Sequence, residues 1–169
     1  AGLRFGESAF ASRAAALAYL DSLDISSLTE IVDVAVDMGD APNSYGTLSV
    51  DNGPTHVIGA LFLGNAVDAD ADGQPTANAD GDDTNGVLDE DGVAMLNTWQ
   101  AGGTAELRVT TSAAGVLNAW VDWNDDGDWN DAGEQVFVDR ALSTGPSLLS
   151  FAVPINAVVG QTTYSRFRL

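Results

Sequence analysis

The chain has 169 residues, 45% of them apolar, which suits one domain with an appendage and leaves enough for a sizeable core. Six basic residues, all Arg, stand against 25 Asp and Glu for a net charge of −19, so nucleic acid and anionic membranes are excluded as partners. The absence of Cys and Lys excludes disulfides, thiolate metal sites, cysteine nucleophiles, Schiff bases and a P-loop lysine, and no apolar run approaches the roughly 20 residues of a membrane span.

In chain order, residues 1–30 read as helix: Ser8 can cap, and Phe10, Ala14, Leu17, Ala18 and Leu20 recur at helical spacing in an Ala-rich run. Ile31 to Asp37 is β-branched and reads as a strand. Residues 1–36 are thus expected to be an appendage or connector. Gly39 to Gly53 is turn-rich, and His56 to Leu63 could be a short strand. Residues 64–92 hold almost nothing apolar and cannot form a core.

Beyond Thr104 the pattern changes to period two. Leu107 and Val109; Leu117, Ala119, Val121 and Trp123; Val136 and Val138; Leu149, Phe151 and Val153; and Phe167 and Leu169 each alternate with other residues. Short alternating runs between Gly, Pro, Asn and Asp turns indicate an antiparallel sheet fold without βαβ units. The expected class is mainly β: an antiparallel sandwich of jelly-roll or Ig-like type over 37–169, with long calcium-binding loops and an N-terminal helical appendage. The strand-like close at Phe167-Arg168-Leu169 suggests a piece of something longer.

Two segments concentrate the acids. The first holds Asp68, Asp70 and Asp72 before Gly73, then Asp80, Asp82 and Asp83, then Asp89, Glu90 and Asp91. A D-x-D-x-D-G run places carboxylates at alternate positions of a tight turn, which is how a calcium loop gathers oxygens around a hard cation. These nine carboxylates, with no base among them, repel one another by several kcal/mol at an effective dielectric near 20. The second segment runs from Asp122 to Glu134. Asp122, Asn124, Asp126, Gly127 and Asp128 match positions 1, 3, 5, 6 and 7 of an EF-hand loop, but the closing acid, Glu134, comes one place late. The flanks alternate like strands, so the expectation is a strand–calcium loop–strand hairpin. The metal candidates are Asp122, Asn124, Asp126, Asp128 and Glu134 together with Asp68, Asp70, Asp72, Asp80, Asp82, Asp83, Asp89 and Asp91. Grouping roughly six oxygens per ion gives about two to four Ca2+.

Residues 37–169 resemble the GEVED domain of large bacterial secreted and surface proteins. The resemblance rests on Met38-Gly39-Asp40-Ala41-Pro42, Ser44-Tyr45-Gly46-Thr47, Gly53-Pro54-Thr55-His56-Val57-Ile58 and Val67-Asp68-Ala69-Asp70-Ala71-Asp72-Gly73-Gln74-Pro75. It continues through Asp89-Glu90-Asp91-Gly92-Val93, Leu117 to Asn124, Gly133 to Phe137, and Tyr164 to Leu169. It implies an extracellular, calcium-binding β module that accompanies adhesin, cadherin-like or protease domains, and supplies no substrate.

Catalysis is not expected. His56 is the single histidine, there is no G-x-S-x-G elbow, and His56 is read as structural, bonded to a turn. Trp99, Trp120, Trp123 and Trp129 could form a sugar platform, although Trp120 and Trp123 project to opposite strand faces, so at most one is core. The expected function is a calcium-stabilised structural or adhesive module of a bacterial surface protein. The alternatives are a filament subunit docking through residues 1–36 and a carbohydrate-binding accessory of a secreted hydrolase. The expected partners are calcium, neighbouring domains or copies of itself, and glycans.

Overall fold

A computed structural model describes residues 3–5, 8–10, 15, 34–81 and 90–169. The chain divides into two compact units, Ala1–Asp33 and Val34–Leu169.

In the first unit, β1 (Leu3–Phe5) and β2 (Ser8–Phe10) pair antiparallel, Leu3 opposite Phe10 and Phe5 opposite Ser8. The helix expected from residue 1 is therefore corrected here: Ser8 begins a strand and Phe10 ends it. The alternation of Leu3 and Phe5, followed by the hairpin-favouring Gly-x pair Gly6-Glu7, outweighs a helical pattern whose alanines are concentrated later. Ala15 is helical; residues 11–14 and 16–30 of that expectation lie outside the described residues.

In the second unit, β3 (Val36–Met38) pairs antiparallel with β4 (Thr55–Val57), placing Asp37 opposite His56. Among the described residues, the strand expected over 31–37 is present only at its end. Ile31 to Asp33 lie outside the described residues, and Val34 and Ala35 are not in a strand. The strand expected over 56–63 stops at Val57, and Leu63 makes an isolated bridge to Thr111. Short 3-10 turns at Asn43–Tyr45 and Ser49–Asp51 carry the chain between them.

The core is built by β5 (Val93–Met95), β6 (Thr104–Thr111), β7 (Gly115–Val121), β8 (Gln135–Leu142), β9 (Gly145–Ala152) and β10 (Ser165–Arg168). Among the described residues these form two antiparallel sheets ordered β5-β6-β9 and β10-β7-β8. Period-two alternation buries Ala105, Leu107, Val109 and Thr111 of β6 and Leu117, Ala119 and Val121 of β7. Leu107, Val109 and Leu149 of one sheet share a core cluster with Leu117 and Leu142 of the other. A second cluster joins Ala105, Val121, Trp123 and Val153, flanked by Trp99, Val136 and Phe151. Phe151 is its aromatic hinge, with Trp99, Phe137 and Trp123 at ring distances of 5.1, 5.6 and 6.0 Å.

One strand departs from its period. In β8 the register slips twice against β7, between Leu117 and Ala119 and between Ala119 and Trp120. Val138 and Asp139 together oppose Asn118, and Asp139 adopts φ 47°. The Asn118 side chain fastens this bulge: its Oδ1 accepts from Asp139 N at 3.0 Å while its Nδ2 donates to Asp139 Oδ1 at 3.2 Å. A bulge re-aims the side chains that follow it. At the second slip Val136 is the extra residue between the pairs Ala119–Phe137 and Trp120–Gln135, so Val136 and Phe137, neighbours in sequence, both pack inward, and Val138 is 65% exposed instead of sharing Val136's face.

Leu117 is fully buried against both sheets and Val138 is on the surface, so alanine at the two positions should behave oppositely. Urea unfolding is expected to show Leu117→Ala losing about 3 kcal/mol and Val138→Ala under ~0.5 kcal/mol. Comparable losses would mean the inward assignment of β7 or the bulge in β8 is wrong.

Candidate functional site

The turn between β7 and β8 begins with Asp122 one residue beyond the strand. Its carboxylate is fully buried, and both oxygens are occupied. Oδ1 accepts from the backbone N–H of Asp125 at 2.6 Å and of Asp126 at 3.4 Å. Oδ2 accepts from Tyr45 Oη at 2.7 Å and from Gly127 N at 3.0 Å. A carboxylate offers about four lone-pair sites, and here four donors meet them. The chain can wrap its own side chain this tightly because Asp125 and Gly127 adopt φ 58° and 92°, the left-handed region that Gly enters freely and Asp tolerates.

Glu134 closes the turn from the other end, at 2% exposure. Its Oε1 accepts from Trp123 N at 3.1 Å and its Oε2 from Asp131 N at 3.1 Å. The backbone of the turn is anchored as well: Asp122 N donates to Tyr164 O at 3.1 Å and Val158 N to Trp123 O at 2.8 Å.

The two buried acids differ in their proton affinity. For Asp122, burial is the largest single influence and pushes upward, yet the hydrogen bonds from Tyr45, Gly127, Asp125 and Asp126 together hold the carboxyl below its ordinary range. For Glu134, burial dominates over the bonds from Asp131 and Trp123, and the charges of Asp122 and Asp131 add to it, so its carboxyl is raised. Burial, followed by the bond to Asp122 and the charges of Asp122 and Asp125, drives the Tyr45 phenol far above its usual value.

The exposed part of the turn is arranged differently. Asn124 Nδ2 donates to Asp126 Oδ2 at 3.0 Å and to Asp131 Oδ2 at 2.6 Å, so two carboxylates converge on one amide. Asp128 Oδ1 accepts from Asn130 N at 2.8 Å, and Asp126 Oδ1 from Asp128 N at 3.3 Å. Of the five residues expected to share an ion here, Asn124 and Asp126 are joined by Asp131, whereas Asp122 and Glu134 turn inward to the backbone.

The earlier acidic segment is spread over separate tasks. Asp70, buried, accepts from Met38 N at 2.9 Å and Gln74 Nε2 at 2.9 Å. Asp72 Oδ1 accepts from the N–H of Ser49 and of Gly73, both at 2.8 Å, and the Ser49 bond is the main cause of its lowered pKa. Asp80 accepts from Thr76 Oγ1 at 2.7 Å, and Asp91 Oδ1 from Asn65 N at 2.9 Å. Asp68 is half-buried, and Asp82, Asp83 and Asp89 lie outside the described residues. Asp91 also explains Gly64 (φ 79°), where a Cβ would come within 1.9 Å of Asp91 Oδ1.

Calcium requires oxygens with free lone pairs, several to one ion. Asp122 has none to give, and no group of three or more His, Cys, Asp or Glu among the described residues is arranged to hold a metal. The fit is thus partial: the buried pair does not suit a cation, while Asp126 and Asp131 present two carboxylates at the surface with lone pairs left after the bonds from Asn124 and Asp128.

Beside the turn stands an aromatic group that the sequence left scattered. Tyr45 stacks on Trp129 at 4.3 Å, and the Arg166 guanidinium lies 4.1 Å from the Trp129 ring centre. Trp99 and Trp123 belong to the core while Trp120 and Trp129 line a surface cavity, so the four tryptophans form no single platform. His56, expected to bond a turn, is in β4 and accepts from Arg168 Nε at 3.2 Å through Nε2. Burial first, then the charges of Arg168 and Arg166, lowers its pKa and keeps it neutral for that role.

Compared with known families, the GEVED domain matches residues 116–169, from β7 through β10. Over that stretch the chain is similar to the GEVED domain. No curated protein and no solved structure matches the chain. The GEVED match holds the Asp122–Glu134 turn, the β8 bulge and both arginines of β10; the resemblance drawn over residues 37–115 lies outside it. The groups the sequence missed here are Tyr45 and Arg166, whose partners are set by contacts up to 121 residues apart, and Asp131, whose partners Asn124 and Glu134 lie within the same turn but off the EF-hand spacing.

Asp122 gives a pH prediction of definite sign. Its folded pKa lies below the ordinary ~3.9, so its stabilisation is present above that value and is lost as pH falls through the lower folded one. Asp122→Asn, which turns an amide N–H toward existing donors, should cost about 2–4 kcal/mol at pH 7. That gap should narrow steadily when unfolding is measured from pH 5 toward pH 2. A gap independent of pH would show that the carboxylate charge is not what holds the turn.

Proposed function

We propose that the chain is a structural or adhesive module of a bacterial extracellular protein, a β-sandwich whose loops are ordered by carboxylates instead of disulfides. The observation that carries this reading is the buried Asp122–Glu134 turn inside the GEVED match. Its two acids are committed to backbone N–H groups and to Tyr45, which is a structural use of charge. His56 supports the same reading, since its Nε2 is engaged by Arg168 and, among the described residues, no nucleophile is bonded to it.

Calcium enters the proposal at the surface of that turn. Asp126 and Asp131 would hold an exchangeable ion, with the Asn124 side chain turned to offer its amide oxygen in place of its N–H, and the charge of the ion would relieve repulsion in a chain of net charge −19. Such an ion stiffens an already folded loop and does not nucleate it. Secretion fits this arrangement, because extracellular calcium is abundant and a Cys-free chain has no covalent staple to add.

A melting curve with CaCl2 against NaCl at matched ionic strength tests this. At a tenfold excess over Kd a ligand of the folded state contributes about 1.4 kcal/mol, a few degrees of Tm for a domain of this size. The calcium increment is expected to vanish in Asp131→Asn and to survive in Asp72→Asn. No increment over matched NaCl removes calcium from the proposal, and turnover of any ester or glycoside substrate by the purified chain overturns the non-enzymatic reading.

A further inference from the structure

The outer face of the β10-β7-β8 sheet carries a second feature that calcium does not address. Arg166 and Arg168 alternate outward on β10, opposite Trp120 and Asn118 of β7, while Phe167 between them packs on the core. Both guanidiniums line a cavity of about 310 Å³ whose other walls include Trp120, Trp129, Ser44 and Asn130.

These two cations are placed against expectation. In a chain with 25 acids, an arginine finds a carboxylate easily. Yet Arg166 donates to Tyr45 O at 3.3 Å and lies over Trp129, and Arg168 donates to His56. Among the described residues no carboxylate pairs with either of them, although Asp128 lines the same cavity. Burial and the neighbouring Arg168 charge bring Arg166 down to about 10, still charged at neutral pH. Two adjacent, half-buried like charges without a counter-ion are unfavourable unless an anion completes them. One more donor in this wall, Trp129 Nε1, is buried without an acceptor.

The geometry points to a binding site for a sugar acid, a uronate residue within an otherwise neutral glycan, held by its carboxylate on Arg166 and Arg168. A guanidinium presents parallel N–H donors that match a carboxylate. Trp120 offers an apolar wall for the pyranose ring, and Ser44 and Asn130 supply neutral partners for hydroxyls. A polyacidic peptide fits less well, because the net charge of −19 repels dense negative charge, whereas one carboxylate among neutral sugars is tolerated. The site stands on the arginine pair and is independent of the calcium reading.

Isothermal titration of the purified chain with D-glucuronate, D-glucose and an acidic tetrapeptide, at ionic strength matched with NaCl, tests it. Glucuronate is expected to bind, and glucose and the peptide are not. Arg168→Gln is expected to weaken glucuronate at least about tenfold, or 1.4 kcal/mol, with an unchanged circular dichroism spectrum. Trp120→Ala, on the same wall and without a role in the His56 contact, serves should Arg168→Gln fail to fold, and is expected to weaken glucuronate as well. Binding of glucose or the peptide as tightly as glucuronate, no binding of glucuronate, or glucuronate binding unchanged in a folded variant each overturns the assignment.

Discussion

A carboxylate taken wholly out of water is tolerated only where donors surround it, and the second unit of this chain is organised around one that satisfies this condition. Asp122 receives four donors, three from the turn that follows it and one from Tyr45, 77 residues earlier. It therefore fixes the shape of the β7–β8 turn and ties that turn to the Asn43–Tyr45 segment. Tyr45, held by this bond, stacks on Trp129, and Trp129 in turn carries Arg166. The aromatic and cationic wall beside the turn thus descends from one buried charge.

The same logic recurs through the loops. A loop has no neighbouring strand to accept its N–H groups, and a chain that spends 18 residues on Gly has many such groups. Acidic side chains take that place: Asp72 for Ser49, Asp40 for Gly81, Asp91 for Asn65, and Glu134 for Trp123 and Asp131, while Asp70 does the same for Met38 at the end of β3. The negative charge of the chain is in this sense a by-product of loop construction. Whether an acid serves as an internal acceptor or as a cation ligand depends on which way it faces, since a lone pair given to an N–H is not available to a metal. Inward, Asp122 and Glu134 are acceptors; outward, Asp126 and Asp131 converge.

Two outward surfaces then carry opposite character within a short distance along the chain. The Asn124–Asp126–Asp131 corner is anionic, and the β10 face with Arg166 and Arg168 is cationic. On that cationic face Arg166 meets a ring and a carbonyl and Arg168 an imidazole nitrogen, and among the described residues no carboxylate pairs with either. A module that displays both can present one to cations and the other to anionic groups without the two neutralising each other.

The sequence by itself determined the strands of the core, because burying one face of a sheet forces apolar residues into period two, and β6 and β7 obey it from Ala105 to Val121. It also located the acidic turn, since Gly127 after alternating acids has few other uses. It could not decide the rest, for physical reasons that differ from place to place. The short hairpin of β1 and β2 lost to an Ala-rich helical pattern because three-residue strands leave almost no periodic signal. The β8 irregularities depend on cross-strand register: Val136 is left over between the pairs Ala119–Phe137 and Trp120–Gln135, which turns Val138 outward, and Asn118 reaching across to Asp139 fastens the other slip, without any mark in that segment. The orientation of Asp122, and with it the division between acids that order the backbone and acids that face solvent, waits on Tyr45 arriving from a distant turn, which only the tertiary structure brings about.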